Sequence, residues 1–213
     1  MKILNQGDPF PHVSLADEDG LLALGGTLSP QRLLTAYQSG IFPWFSGNQP
    51  VLWWSPDPRM VLYLKDFKIS KSLRQKIKSN RFKVTFNTAF AEVIQACAQV
   101  KRKGETGTWI TKNMQQAYIE LHNLGVAKSV EIWENDLLVG GLYGIDLPEK
   151  KVFCGESMFH KITDGSKIAL YYLVDSLKKK DYLLIDCQVH TQHLESMGAK
   201  EISRETFISI LTK

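Results

Sequence analysis

The chain has no apolar run approaching the roughly 18 residues needed to span a bilayer, and its opening residues, MKILNQGDPF, hold no apolar stretch ahead of a cleavage site. These absences lead us to expect a cytoplasmic protein with no membrane partner. Cysteine is scarce too. Cys97, Cys154 and Cys187 are odd in number, far apart and set among apolar neighbours, which argues against a disulfide framework and a zinc site. They are expected to be reduced core thiols. Of the five histidines only His190 and His193 lie close together, and an H-x-x-H pair without further ligands is ordinarily a loop feature, so no metal is assigned. There is no internal repeat and no low-complexity segment. The formal net charge, +4, is too small to carry meaning as a total.

Its distribution is another matter. Between Lys65 and Lys83 lie eight basic residues and one acid, Asp66. On a helix starting after Ser70, Lys71, Arg74 and Lys78 fall on one side, while Ile69, Leu73 and Ile77 fall on the other. One face can dock on a core while the other meets an anion.

With 213 residues and 44% hydrophobic content, the chain can build one large or two small domains. Residues 1–62 are rich in Pro, Gly and Trp and hold one short helix, capped by Ser29 with Pro30 at its first position; this is expected to be a small module of turns. Residues 63–213 are expected to form a regular α+β domain. There the pattern predicts a strand over 82–86 and helices over 88–103 and 111–124. Strands follow over 128–134 and 137–145, joined at Asn135-Asp136, and then over 151–158. A helix over 165–179, a strand over 182–187, a short helix near Thr191 and a last one from Arg204 complete the chain. A meander followed by strand, loop, helix and strand is the layout of the N-acetyltransferase-like fold, a mixed sheet flanked by helices.

Two strands carry polar residues where core is expected. In FCGESMFH, strict alternation puts Glu156 on one face with Val152, Cys154 and Met158. In LLIDCQV, one face carries Leu183, Ile185, Cys187 and Val189, and the other turns from Leu184 to Asp186 and Gln188. Ligands of mixed sheets tend to lie where neighbouring strands part, near strand ends and a helix N-terminus. Glu156, Asp186 and Gln188 are therefore expected to face one crevice.

The segments GLLALGG, AYQSGIFPWF, WWSPDPR, TWI, SVEIWENDLLVGGLYG, FCGESMF, SKIAL, IDCQV and SMGA, in this order and spacing, resemble the leucyl/phenylalanyl-tRNA:protein transferases. The resemblance runs from about residue 11 to 207, and its strength lies in several motifs agreeing independently. It implies an aminoacyltransferase that moves leucine or phenylalanine, with methionine a further candidate, from charged tRNA to the N-terminal Arg or Lys of an acceptor protein, marking it for degradation. No cofactor is implied, because the ester on the tRNA is already activated and the enzyme need only bring an amine to it. The resemblance also implies an apolar pocket for the transferred side chain, built by Leu142, Phe153, Met158, Leu170, Leu173, Leu177 and Ile185.

The residues fit that chemistry. The basic side of the helix, with Lys71, Arg74 and Lys78, suits tRNA phosphates, and Trp53, Trp54 and Trp109 are candidate platforms for the single-stranded 3′ end. Glu156 and Asp186 suit a cationic acceptor. In the family the residue matching Gln188 is proposed to take the amine proton with help from the one matching Asp186. A neutral amide is a very poor base, so Gln188 is assigned here as the group that orients the amine and Asp186 as its electrostatic partner. The helix entry departs from the family pattern in reading DGSK, with Asp164 a candidate cap, and Thr191 stands where Asn is common. Two other functions compete: an acyl-CoA-dependent N-acetyltransferase, for which no Arg/Gln-x-x-Gly-x-Gly/Ala loop precedes the helix at Gly165, and a tRNA-binding module without catalysis.

Overall fold

The computed structural model describes residues 2–47, 49–100 and 108–212. The chain begins with β1 (Lys2–Leu4) and β2 (Leu21–Gly25), then α1 (Pro30–Gln38), β3 (Phe42–Pro43) and β4 (Leu52–Trp54). The four strands form a small sheet in the order β1-β2-β4-β3. The start of α1 is set as the sequence predicts: Pro30 stands at the first position and Ser29 accepts a hydrogen bond from the Arg32 N–H at 3.4 Å.

Next come β5 (Arg59–Tyr63), α2 (Lys71–Lys78), β6 (Lys83–Phe86), α3 (Phe90–Ala98), α4 (Lys112–Asn123), β7 (Ala127–Glu134), β8 (Leu137–Leu147) and β9 (Val152–His160). The chain closes with α5 (Gly165–Lys178), β10 (Leu184–Gln188), α6 (Gln192–Glu195), β11 (Lys200–Ile202) and α7 (Arg204–Leu211). Their seven strands form one mixed sheet in the order β11-β5-β10-β9-β8-β7-β6, in which β10 runs parallel to β9 while the other neighbours are antiparallel. The expected order of meander, strand, helix and strand is therefore present, and the architecture is α+β. The expected division at residue 62 falls inside β5, whose pairing partners are β10 and β11.

Local signals account for most boundaries. Ser70 and Thr111 cap α2 and α4 by accepting from the Leu73 and Met114 N–H groups. Asn135 and Asp136 both take positive φ, 48° and 60°, as a two-residue hairpin with the sheet's twist requires. The end of the helix expected over 88–103 lies partly outside the described residues, and α3 stops at Ala98. Asp164 differs from expectation. It has φ 70° and makes no side-chain cap; its carboxylate pairs instead with Lys76 at 2.5 Å and Lys167 at 3.3 Å. Two opposite charges within reach outbid the helix amides for the same oxygens.

Helices cover both faces of the large sheet. On one face α1, α3, α4 and α7 bury Leu33, Phe90, Met114 and Phe207 against Tyr143, Ile145 and Cys154. On the other, α2 and α5 bury Leu73, Ile168, Leu170 and Leu173 against Leu142, Phe153 and Ile185. All three cysteines are buried, and no disulfide joins them. No helix among the described residues is long and apolar enough to cross a membrane.

Candidate active site

The two strands that carry the polar residues are each interrupted by one extra residue. In β9, Gly155 pairs with Gly144 and Ser157 with Tyr143, so Glu156 has no partner in β8. In β10, Asp186 pairs with Val61 and Gln188 with Met60, which leaves Cys187 extra. A bulge bends its strand and breaks the ladder locally. The parallel pairing of β10 with β9 ends at Asp186 and Cys154, immediately before both bulges. Past that point the strands part.

The opening is a cavity of about 400 Å³. Its apolar side is formed by Leu142 and Met158 from β8 and β9, Leu170 and Leu173 from α5, and Ile185 from β10. Glu156 and Gln188 line it from the two bulged strands, and Trp44 and Trp109 line it from loops. Thr191, His193 and Leu194 border it on the side of α6.

The bulge also answers why a carboxylate sits in an apolar row. Alternation holds through Glu156, then the extra residue shifts its phase. Val152 and Cys154 lie in the cluster of α1, α3 and α4, and Glu156 faces the same side, whereas Met158 packs with the α5 cluster, so the expected face holds through Glu156 and loses only Met158. On that side Glu156 meets α4: the Tyr118 hydroxyl donates to its Oε2 at 2.9 Å, and Tyr118 is in turn hydrogen-bonded to Tyr37 of α1. Burial pushes the Glu156 pKa up, the hydrogen bonds from Tyr37 and Tyr118 pull it down, the charge of Asp186 raises it and Arg59 lowers it, leaving it at about 7.

Asp186 does not line the cavity. It is fully buried behind it, where Arg59 of β5 grips it with two hydrogen bonds of 2.8 and 2.7 Å. Arg59 is itself buried, donates to the Gly40 carbonyl at 3.1 Å and lies against the rings of Phe42 and Phe207. The expected crevice thus receives Glu156 and Gln188, with Asp186 one layer back. From there it holds Gln188: Asp186 Oδ1 accepts the Gln188 backbone N–H at 3.1 Å, and Oδ2 accepts from Nε2 at 3.4 Å. Those bonds sustain a left-handed backbone, φ 60°, that costs a residue other than glycine about 1–3 kcal/mol. They also leave Oε1 as the carboxamide's acceptor.

Other expected residues separate. Leu142, Met158, Leu170, Leu173 and Ile185 line the cavity, while Phe153 and Leu177 are buried in the cluster behind it. Phe153 has turned into the space left by Gly144, where an added Cβ would come within 2.5 Å of its ring. Trp53 is core: it is fully buried, donates to the Gly25 carbonyl at 2.8 Å and meets Phe10 edge-on. Trp54 is half-buried and donates to the Trp44 carbonyl at 2.6 Å, outside the cavity lining. Trp109 lines the cavity as expected, together with Trp44, which sequence reasoning passed over. Lys71, Arg74 and Lys78 are exposed on α2, whose Leu73 and Ile77 side packs on the core, as does Ile69 just before the helix. Their neighbours Lys76 and Arg81 are engaged with Asp164 and Glu134.

The residues missed were Arg59, Tyr37, Tyr118 and Trp44. Arg59 had a signal, being a lone charge leading into the apolar run Met60–Leu62. Tyr37 and Tyr118 had one as well: each shares a buried helix face, with Leu33 and Ala36 or with Met114 and Leu121, yet carries a hydroxyl that needs a partner.

Comparison with known proteins places the chain in a family. The family model "Leucyl/phenylalanyl-tRNA protein transferase" matches residues 61–212, and the model of that family's N-terminal domain matches residues 26–57. A leucyl/phenylalanyl-tRNA–protein transferase of Flavobacterium johnsoniae is 58% identical over 202 residues, covering 95% of this chain and 94% of its own. That of Christiangramia forsetii is 54% identical over 211 residues, covering 99% and 100%. Among solved structures, a GCN5-related N-acetyltransferase from Kribbella flavida aligns with 80% of this chain and 60% of its own at 8% identity and a TM-score of 0.40. With a family model over most of its length and relatives more than half identical from end to end, this chain belongs to the leucyl/phenylalanyl-tRNA–protein transferase family.

Proposed function

We propose that this enzyme transfers leucine or phenylalanine from its charged tRNA to the N-terminal Arg or Lys of an acceptor protein, which is thereby marked for degradation. The observation that carries this reading is the cavity between the parted strands. It has an apolar side of Leu142, Met158, Leu170, Leu173 and Ile185, a size suited to one side chain with part of its carrier, and a rim bearing Glu156 and Gln188. Leucine or phenylalanine fills the apolar side. Shape alone separates such side chains by about 1–3 kcal/mol for each methylene, so preference is graded rather than absolute.

Trp44 and Trp109 give the 3′-terminal base an aromatic surface, and the exposed Lys71, Arg74 and Lys78 give the tRNA backbone a cationic one. Glu156 is the one carboxylate among the described lining residues, and it offers negative charge to the cationic acceptor. Gln188, fixed by Asp186, accepts from the attacking amine and sets its approach. Asp186 acts through Gln188, its own charge being neutralised by Arg59. Catalysis by orientation of two bound reactants can supply up to roughly 7–11 kcal/mol.

Radiolabelled Leu-tRNA incubated with an Arg-starting peptide tests the reading. Label should enter the peptide without acetyl-CoA and fail to enter an acetylated one. Acetylation of the peptide in the presence of acetyl-CoA, with no transfer from tRNA, would instead establish the N-acetyltransferase alternative.

A further inference from the structure

Aminolysis at neutral pH leaves one proton to be placed. The acceptor's α-amine, with a pKa of about 7.7–8.0, arrives mainly as ammonium and must lose a proton before its lone pair can attack. The groups around the cavity differ in their ability to take it. Gln188 is a neutral amide. Asp186 is fully buried, outside the lining and bound to Arg59 through both oxygens. Cys187 lines the cavity, but burial pushes its thiol far up. His193 lines it too, yet burial and then the nearby Lys167 and His160 hold its pKa down, and the Lys167 ammonium repels a cationic acceptor. Glu156 remains.

We propose that Glu156 is the proton acceptor of the transfer reaction, taking a proton from the acceptor's α-ammonium, and that Tyr118, held by Tyr37, is the positioning residue that aims its carboxylate. This inference rests on the aminoacyl-transfer reading above. The Tyr118 hydroxyl donates to Oε2 and so holds the carboxylate at the cavity, which Glu156 lines. Freed of one proton, the nitrogen attacks the ester carbonyl carbon and the C–N bond forms. The tetrahedral centre then expels the ribose oxygen as the C–O bond breaks. A second amine proton leaves with that oxygen, and Glu156 returns its own proton to water.

Groups on the elements packed around the carboxylate set its behaviour: Tyr37 on α1, Tyr118 on α4, Asp186 on β10 and Arg59 on β5 act on it directly, Cys154 on its own strand interacts with it, and Tyr143 on β8 acts on Tyr118. Their balance, at about 7, places the carboxylate close to the amine it serves, where proton transfer is most efficient.

The test is single-turnover transfer from Phe-tRNA to an Arg-starting peptide across pH 6 to 9, with charged-tRNA binding followed in parallel. Glu156→Gln should bind charged tRNA yet transfer about 100-fold more slowly or worse. Formate should restore part of the rate to Glu156→Gly. Tyr118→Phe removes a hydrogen bond that lowers the Glu156 pKa, so its acid limb should move to higher pH, and the same change in a Glu156→Gln background should move nothing. If Glu156→Gln transfers within threefold of wild type, or if the acid limb ignores Tyr118→Phe, the proton-acceptor role is overturned while wild-type transfer still upholds the wider reading. No transfer by the wild type overturns both.

Discussion

Asp186 and Arg59 are both buried to about 1% exposure or less and joined by two hydrogen bonds, so each compensates a charge that the interior could not otherwise hold. Asp186→Asn therefore strands a buried guanidinium, and we expect it to cost about 3–5 kcal/mol in urea unfolding. A loss below 1 kcal/mol would mean that Arg59 finds another partner. Glu156 behaves oppositely. Its pKa is about 7 in the folded chain against 4.5 as an ordinary carboxyl, so between those values the folded protein keeps a proton that the unfolded chain releases. The stability tied to that proton is fully present below about pH 4.5 and is lost as pH rises through 7. Glu156→Gln removes this dependence. Relative to wild type it should gain up to about 3 kcal/mol between pH 4.5 and 8, at about 1.4 kcal/mol for each pH unit separating the two pKa values. Parallel stability–pH curves for the two proteins would contradict the raised pKa.

At the scale of single elements, α2 is where sequence and structure agree most fully. Its apolar side docks on the core through Leu73 and Ile77, and Lys71, Arg74 and Lys78 stay exposed. Changing those three to Glu should weaken charged-tRNA binding and flatten its salt dependence while sparing the melting temperature. Unchanged affinity and salt slope would remove α2 from the tRNA footprint. Periodicity made this helix legible because its two faces depend on spacing within eight residues. The caps at Ser29, Ser70 and Thr111 and the Asn135-Asp136 turn were legible for the same reason. Strands β9 and β10 were placed well but their faces were not. A bulge is a mismatch between one strand and its partner, and period-two reading of a single strand cannot register it. Alternation alone therefore places Met158 beside Glu156 and Asp186 in the crevice.

Over the whole molecule the site is assembled from distant parts. Arg59 and Asp186 are 127 positions apart, Tyr37 and Tyr118 are 81 apart, and Trp44 and Trp109 come from the loops after β3 and before α4. Composition marked the N-terminal residues as rich in Trp, yet which indole faces the cavity depends on how the small sheet packs: Trp53 points into the core and Trp44 reaches the opening. That packing brings N-terminal residues to the proposed site, since Phe42, Pro43 and Trp44 line the cavity and the Gly40 carbonyl holds Arg59. The central claim is that the gap between the two bulged strands is where the amine meets the ester. Gln188→Ala, assayed for single-turnover transfer beside charged-tRNA binding, tests it most directly. The account predicts retained tRNA binding with transfer slowed by about 100- to 1,000-fold, the loss of one preorganised polar contact. Transfer at the wild-type rate by a folded, tRNA-binding Gln188→Ala protein would contradict it.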